Sequence, residues 1–286
     1  MYSKTLFILL PVLIGLTFLG GASSQSAEIN KLTMGVVPEQ SSSQLAKQWV
    51  PLLDELGKKL DLEIIFKTAK DTATFEICLS EGAYDLAFMN PFQYVEANWH
   101  NGYTAFAYQR GENLAGILVT RKDSAIQGIS ALKNLQIAFP SSRDFAATIL
   151  PRADLEESGT KVRPIYVRAH ESVYRVVARG LFLAGGGSLQ TFKHIPKDVR
   201  NQLRIFHKTK QYTPHAFAAH PRVELDLVKR ISEQLVKLPP THPILRNLGF
   251  NGFESATNHA WDDVRLLNLP PAAIEFPDAD SKCYLN

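Results

Sequence analysis

Only two cysteines, Cys78 and Cys283, occur in 286 residues, which excludes a disulfide scaffold and any zinc site built on CxxC pairs. Neither sign of charge dominates, since 31 Lys and Arg face 28 Asp and Glu for a formal +3. With no long basic run, that balance argues against a nucleic-acid partner. Common catalytic signatures are missing as well: there is no GxSxG elbow, no P-loop, no GxGxxG after a strand and no HExxH. The expectation is a protein that is not an enzyme and carries no cofactor. His215 and His220 stand five apart around Phe217 without a carboxylate or cysteine to complete a ligand set, so no metal site is expected.

Long apolar runs are confined to the N-terminus, where Lys4 precedes Leu6–Leu19 and small residues follow at Gly20–Ser24. This order of charge, apolar stretch and small residues reads as a secretory signal peptide, expected over residues 1–27. The run is short of the roughly 20 residues a membrane span needs. The mature chain is therefore expected in the periplasm. In that oxidising setting the two cysteines could pair, although Cys78 reads as a buried helix position and Cys283 lies in the tail.

What is present is ordinary globular material, 45% hydrophobic and 21% charged, long enough for two domains. Leu32–Val37 is a short apolar run closing on Pro38. Leu45, Trp49, Leu52, Leu53, Leu56 and Leu60 follow a helical period. Leu62–Phe66, Tyr84–Met89, Ala105–Tyr108 and Ala115–Thr120 read as further strands, with helices over Thr72–Ser80 and from Pro91 to Trp99. The alternation then repeats: strands at Gln136–Phe139, Ile165–Val167 and Leu181–Ala184, helices at Phe145–Leu155 and Ser172–Arg179. A strand near Leu203–His207 and helices over Val223–Leu238 and Trp261–Leu267 complete the chain. Such alternation predicts an α/β fold of two lobes. The crossings are expected at Thr120–Lys122 and Lys208–Tyr212, giving one lobe from 28–121 and 209–286 and another from 122–208.

Ligands in open α/β sheets bind beyond the carboxyl ends of strands. Four such ends carry turn formers and hydrogen-bonding residues: Pro38–Ser43 with Gln40 and Ser41, Asn90–Tyr94, Pro140–Asp144 with Ser141, Ser142 and Arg143, and Gly185–Ser188. Three of them precede a helix, whose N-terminus suits a small anion; serine and asparagine there are equally N-caps. His170 follows a strand and can donate to an oxyanion, or simply face solvent. Gly185 and Gly186 fit either a phosphate-cradling nest or a close passage of backbone past a neighbour.

The run Gly82-Ala83-Tyr84-Asp85-Leu86-Ala87-Phe88-Met89-Asn90-Pro91-Phe92-Gln93-Tyr94 resembles a segment of the phosphate/phosphite/phosphonate (PhnD-like) substrate-binding proteins of ABC transporters. Weaker matches at Met34–Pro38, Tyr212–Pro214, Ala219–Pro221 and Leu248–Phe253 extend it over nearly the whole mature chain. The resemblance implies a type II periplasmic binding fold, with an oxyanion held between the lobes for delivery to a membrane permease by a monomeric carrier. It places Tyr94 against the ligand from the first lobe, and Ser141, Ser142 and His170 from the second. Some relatives instead serve a membrane histidine kinase as oxyanion sensors, including arsenite-responsive ones that depend on a cysteine. Two departures stand out. Where the family commonly shows Ser-Thr-Ser-Gly, this chain has Ser142-Arg143-Asp144-Phe145, whose Arg143 would either grip the oxyanion or pair with Asp144. Leu183 stands where relatives have an acidic residue, which argues against an amino-bearing ligand, unless Glu39 or Glu171 substitutes.

Overall fold

In the computed structural model, residues 1–2, 31–267 and 282–283 are described; the expected cleavage region lies outside them. The chain opens with β1 (Lys31–Val36) and α1 (Ser42–Leu60), whose buried Leu45, Trp49, Leu52, Leu53 and Leu56 form the apolar stripe read from the sequence. Pro51 inside α1 cannot donate to the carbonyl of Lys47. Asn247 takes its place, donating from its side chain to that oxygen at 3.1 Å. Then follow β2 (Glu63–Lys67), α2 (Thr72–Ser80), β3 (Leu86–Met89), α3 (Pro91–Asn101) and β4 (Thr104–Gln109).

The middle of the chain builds β5 (Gly116–Arg121), β6 (Gln136–Phe139), a π-helical turn (Phe145–Ile149) running into α4 (Leu150–Glu157), and β7 (Arg163–Tyr166). It continues with α5 (His170–Ala178), β8 (Gly185–Ser188), α6 (Leu189–His194), α7 (Lys197–Arg200) and β9 (Leu203–Lys208). The remainder supplies β10 (Ala216–Ala219), α8 (Leu225–Val236), α9 (Pro243–Leu248), β11 (Phe253–Ser255) and α10 (Asp262–Arg265).

Two sheets result, one of six strands in the order β11-β4-β10-β3-β1-β2 and one of five in the order β7-β6-β8-β5-β9. β1, β2 and β3 run parallel, and β10 enters antiparallel between β3 and β4. β5 pairs with β8 and β9 in the second sheet. The first crossing therefore lies between Gln109 and Gly116, earlier than Thr120–Lys122. The apolar run of β5 marks a buried strand but not the sheet that buries it. The two crossings are bonded to each other, Leu114 and Tyr212 exchanging N–H···O bonds of 2.9 Å in both directions.

A second correction concerns the glycines. The strand is Gly185–Ser188 itself, not Leu181–Ala184, where Leu181 and Leu183 stay exposed. A Cβ on Gly186 would sit 2.3 Å from the Ala147 carbonyl oxygen and from the Phe139 ring. Close passage of backbone, not an anion nest, is thus what Gly185 and Gly186 provide. β10 escaped the sequence reading because its four small or aromatic residues sit among prolines and histidines.

Cys78, fully buried in α2, is bonded to Cys283. Both the core position and the pairing are realised.

Candidate functional site

The GxYD segment that carries the resemblance is architectural. Tyr84 is fully buried and stacks on Phe75 with ring centroids 5.2 Å apart. Asp85 accepts from both the amide and the hydroxyl of Thr33 at 2.7 Å and from Arg222 Nε at 2.6 Å, tying β1, β3 and the turn after β10 together. Tyr94 belongs to the same framework. It is wholly buried, donates to Asn258 at 2.8 Å and accepts from the Ala105 amide at 3.1 Å. Its hydroxyl is thus engaged inside the first lobe, and Tyr94 does not line the interlobe pocket described below.

Several N-termini expected to offer bare amides are capped by side chains. Asn90 and Gln93 form a reciprocal capping box, and Asp144 accepts from Ala147 N at 2.6 Å; Ser188, where no helix start was expected, likewise accepts from Thr191 N at 3.0 Å. Ser41 caps α1 weakly, at 3.4 Å, and like Gln40 is exposed. Neither Gln40 nor Ser41 reaches the pocket described next.

That pocket, about 30 Å³, lies between the lobes. From the first lobe and its crossings come Glu39, Asn90, Leu114 and His215; from the second, Asp144, Phe145, Ala146, His170, Ser188 and Thr191 among others. It sits where β1, β3, β6 and β8 end and β10 begins. Among the described residues, no lysine or arginine lines it. Its charge comes instead from two imidazole–carboxylate pairs.

His170 opens α5 and places Nε2 2.9 Å from Asp144 Oδ2, while the other Asp144 oxygen accepts from the Ala147 amide at 2.6 Å. His215 Nε2 meets Glu39 Oε1 at 2.9 Å, and its ring stacks on Phe88. Burial disfavours the charged form of His170, but the Asp144 carboxylate and then Glu39 outweigh it and push its pKa up to about 9. Asp144 and Glu39 move down: burial opposes ionisation, and the partner histidine in each case more than compensates. At neutral pH His170 is therefore an imidazolium with two N–H donors. Nε2 is used by Asp144, whereas Nδ1 is buried with no hydrogen-bond partner among the described residues.

Arg143 does not enter this pocket. It leaves the second lobe after β6 and pairs with Glu76 of α2 and Glu96 of α3 in the first. Its guanidinium also lies 5.0 Å from the centroid of Phe92. Arg143 and Glu76 side chains are only 7% and 8% exposed. Burial pushes the Glu76 carboxyl up to about 7 despite Arg143 and a bond from Gln93. The sequence alternatives for Arg143, an oxyanion grip or a pair with Asp144, both give way to a clasp joining the lobes. Ser141 and Ser142 line a separate, more open groove with Lys70, Asp71 and Arg168. Of the residues singled out in the sequence, Glu39, Asn90 and His170 come together here, with Asp144 and Ser188 from two of the named strand ends. His215, considered there only as a metal ligand, and Thr191 were not expected at the site; Asp144 ahead of an apolar run, at N-cap spacing from Ala147, was the clearest local signal.

Two α/β lobes, paired crossings and a pocket at converging strand ends define a type II periplasmic binding fold. The model of the periplasmic substrate-binding proteins of phosphonate ABC transporters matches residues 34–261, and the chain belongs to that family. It is 24% identical over 224 residues to a probable phosphite-binding protein of an ABC transporter from Prochlorococcus marinus, covering 72% of this chain and 74% of that one. A phosphate-import protein from Mycolicibacterium smegmatis is 23% identical, over 52% of each chain. Among solved structures, the Prochlorococcus protein in complex with methylphosphonate superposes with a TM-score of 0.73 at 19% identity, covering 82% of this chain and 96% of that one. A Xanthomonas citri protein bound to chloride gives 0.73 at 17%, covering 83% and 96%. The family is one of transporter substrate-binding proteins, with a membrane permease as partner and the periplasm as setting. The cysteine-dependent sensing reading finds no support, since Cys78 is held in a disulfide.

Proposed function

We propose that the interlobe pocket binds a small oxyanion of the phosphate, phosphite or phosphonate kind, and that the protein hands it unchanged to its permease. The observation that carries this reading is the buried Nδ1–H of the His170 imidazolium, a charged donor in the pocket with no acceptor among the described residues. An unmet buried donor is costly, and an oxyanion oxygen is the acceptor it lacks. Asn90, Ser188 and Thr191 add neutral polar groups around the same space. The names and the bound methylphosphonate of relatives point to the same ligand class. No bond is made or broken; closure of the lobes excludes water and strengthens the contacts. In the same reading the chain is exported with loss of its signal peptide, and works as a monomer.

The test is calorimetry of the mature protein against phosphate, phosphite, methylphosphonate, 2-aminoethylphosphonate, sulfate and arsenite. At least one of the first three should bind, and His170→Gln should weaken it by about 10–100-fold, the range of a charged hydrogen bond. Because the His170 pKa is raised from 6.5 to about 9, the imidazolium persists through neutral pH. Affinity should hold there and fall as pH rises past about 9. Unchanged affinity in His170→Gln would overturn the assignment.

A further inference from the structure

The two carboxylates in an anion pocket call for an account of what they face. Asp144 is fully used: one oxygen accepts from the Ala147 amide, the other from His170. Glu39 is not. Oε1 accepts from His215, while Oε2 has no hydrogen bond from the described residues, and the side chain is 45% exposed at the pocket edge. An ionised carboxylate oxygen can only accept, so it repels a bare oxyanion oxygen and welcomes an acidic O–H.

We propose that Glu39 makes the pocket selective for a singly ionised oxyanion that still carries a proton, its P–OH donating to Glu39 Oε2 while an ionised oxygen accepts from His170 Nδ1. This inference rests on the oxyanion reading above and names the ligand's ionic form. The charged and titratable groups lining the pocket are Glu39, Asp144, His170 and His215. His170 and Asp144 both act electrostatically on Glu39, so the four form one cluster. With two carboxylates and, among the described residues, no lysine or arginine lining it, the cluster lacks the positive charge a dianion needs.

Methylphosphonate and methanesulfonate separate the possibilities, because at about pH 6.5 both carry mainly one negative charge on the same tetrahedral frame and only the first has an O–H. Calorimetry on the mature protein should show methylphosphonate binding at least about tenfold tighter than methanesulfonate, with sulfate weaker still. Glu39→Gln, whose amide can donate, should close or reverse that gap by gaining methanesulfonate and losing methylphosphonate. Glu39→Ala should also narrow it, losing the acceptor for methylphosphonate and the repulsion that disfavours methanesulfonate. Equal binding of the two ligands by the native protein, or a gap that survives in both variants, overturns the role of Glu39 while leaving the oxyanion reading standing. Tighter binding of 2-aminoethylphosphonate than of methylphosphonate also overturns it, since the carboxylate would then serve an ammonium. Failure of every oxyanion to bind removes the reading itself.

Discussion

Replacing Arg143 with methionine removes the cation from a buried cluster that joins the lobes and leaves Glu76 and Glu96 facing apolar surroundings beside Phe92. Even with Arg143 in place, burial raises Glu76 from 4.5 to about 7, which is roughly 3 kcal/mol of lost ionisation free energy. Taking away the partner of a buried charge typically costs about 3–5 kcal/mol. For a chain of this size each kcal/mol is worth roughly 2–4 °C, so Arg143→Met should lower the melting temperature by about 6–20 °C at about pH 8. The pH dependence gives the sharper test. A carboxyl whose folded pKa is raised binds more protons when folded, so its contribution to stability is fully present below about 4.5 and is lost as pH rises through about 7. Without Arg143 protonation becomes still easier, and the deficit at about pH 5.5 should be less than half that at about pH 8. Thermal melts of both proteins across this range measure it. A deficit that is absent, or that does not shrink in acid, would refute the clasp. Since the cluster spans the lobes, the variant should also favour the open form and bind ligand more weakly.

Tyr94→Phe loses bonds to Asn258 and Ala105; stability should fall by about 1–3 kcal/mol in denaturant unfolding, with ligand affinity within about twofold of native. Gly186→Ala forces a Cβ to 2.3 Å from Ala147 O, and should cost about 1–3 kcal/mol or more, read as a lower melting temperature or loss of soluble protein. Reducing Cys78–Cys283, which closes a separation of 205 residues, should destabilise by about 2–5 kcal/mol, seen as a melting shift with reductant.

Much of the fold was legible because apolar periodicity and turn residues speak locally. α2 falls on Thr72–Ser80 as read, and β1, β3 and β6 end where Pro38, Asn90-Pro91 and Pro140 end the apolar runs. Sheet membership was not local, so β5 was assigned to the wrong side of the crossing. The site was harder for the same reason. The segment that most clearly marks the family, from Tyr84 to Tyr94, reports packing: Tyr84, Asp85 and Tyr94 hold the first lobe together. His170 could be singled out by its place after a strand. Its partner Asp144 comes from another strand end of the same lobe, and the Glu39–His215 pair of the first lobe faces them only where the lobes meet.

The most direct measurement is a crystal structure of the mature protein with methylphosphonate. The expected result is a ligand between Glu39, Asp144, His170 and Ser188, with one oxygen about 2.7–2.9 Å from His170 Nδ1. A ligand seated instead in the outer groove beside Ser141 and Ser142, with the His170 pocket empty, would contradict the account.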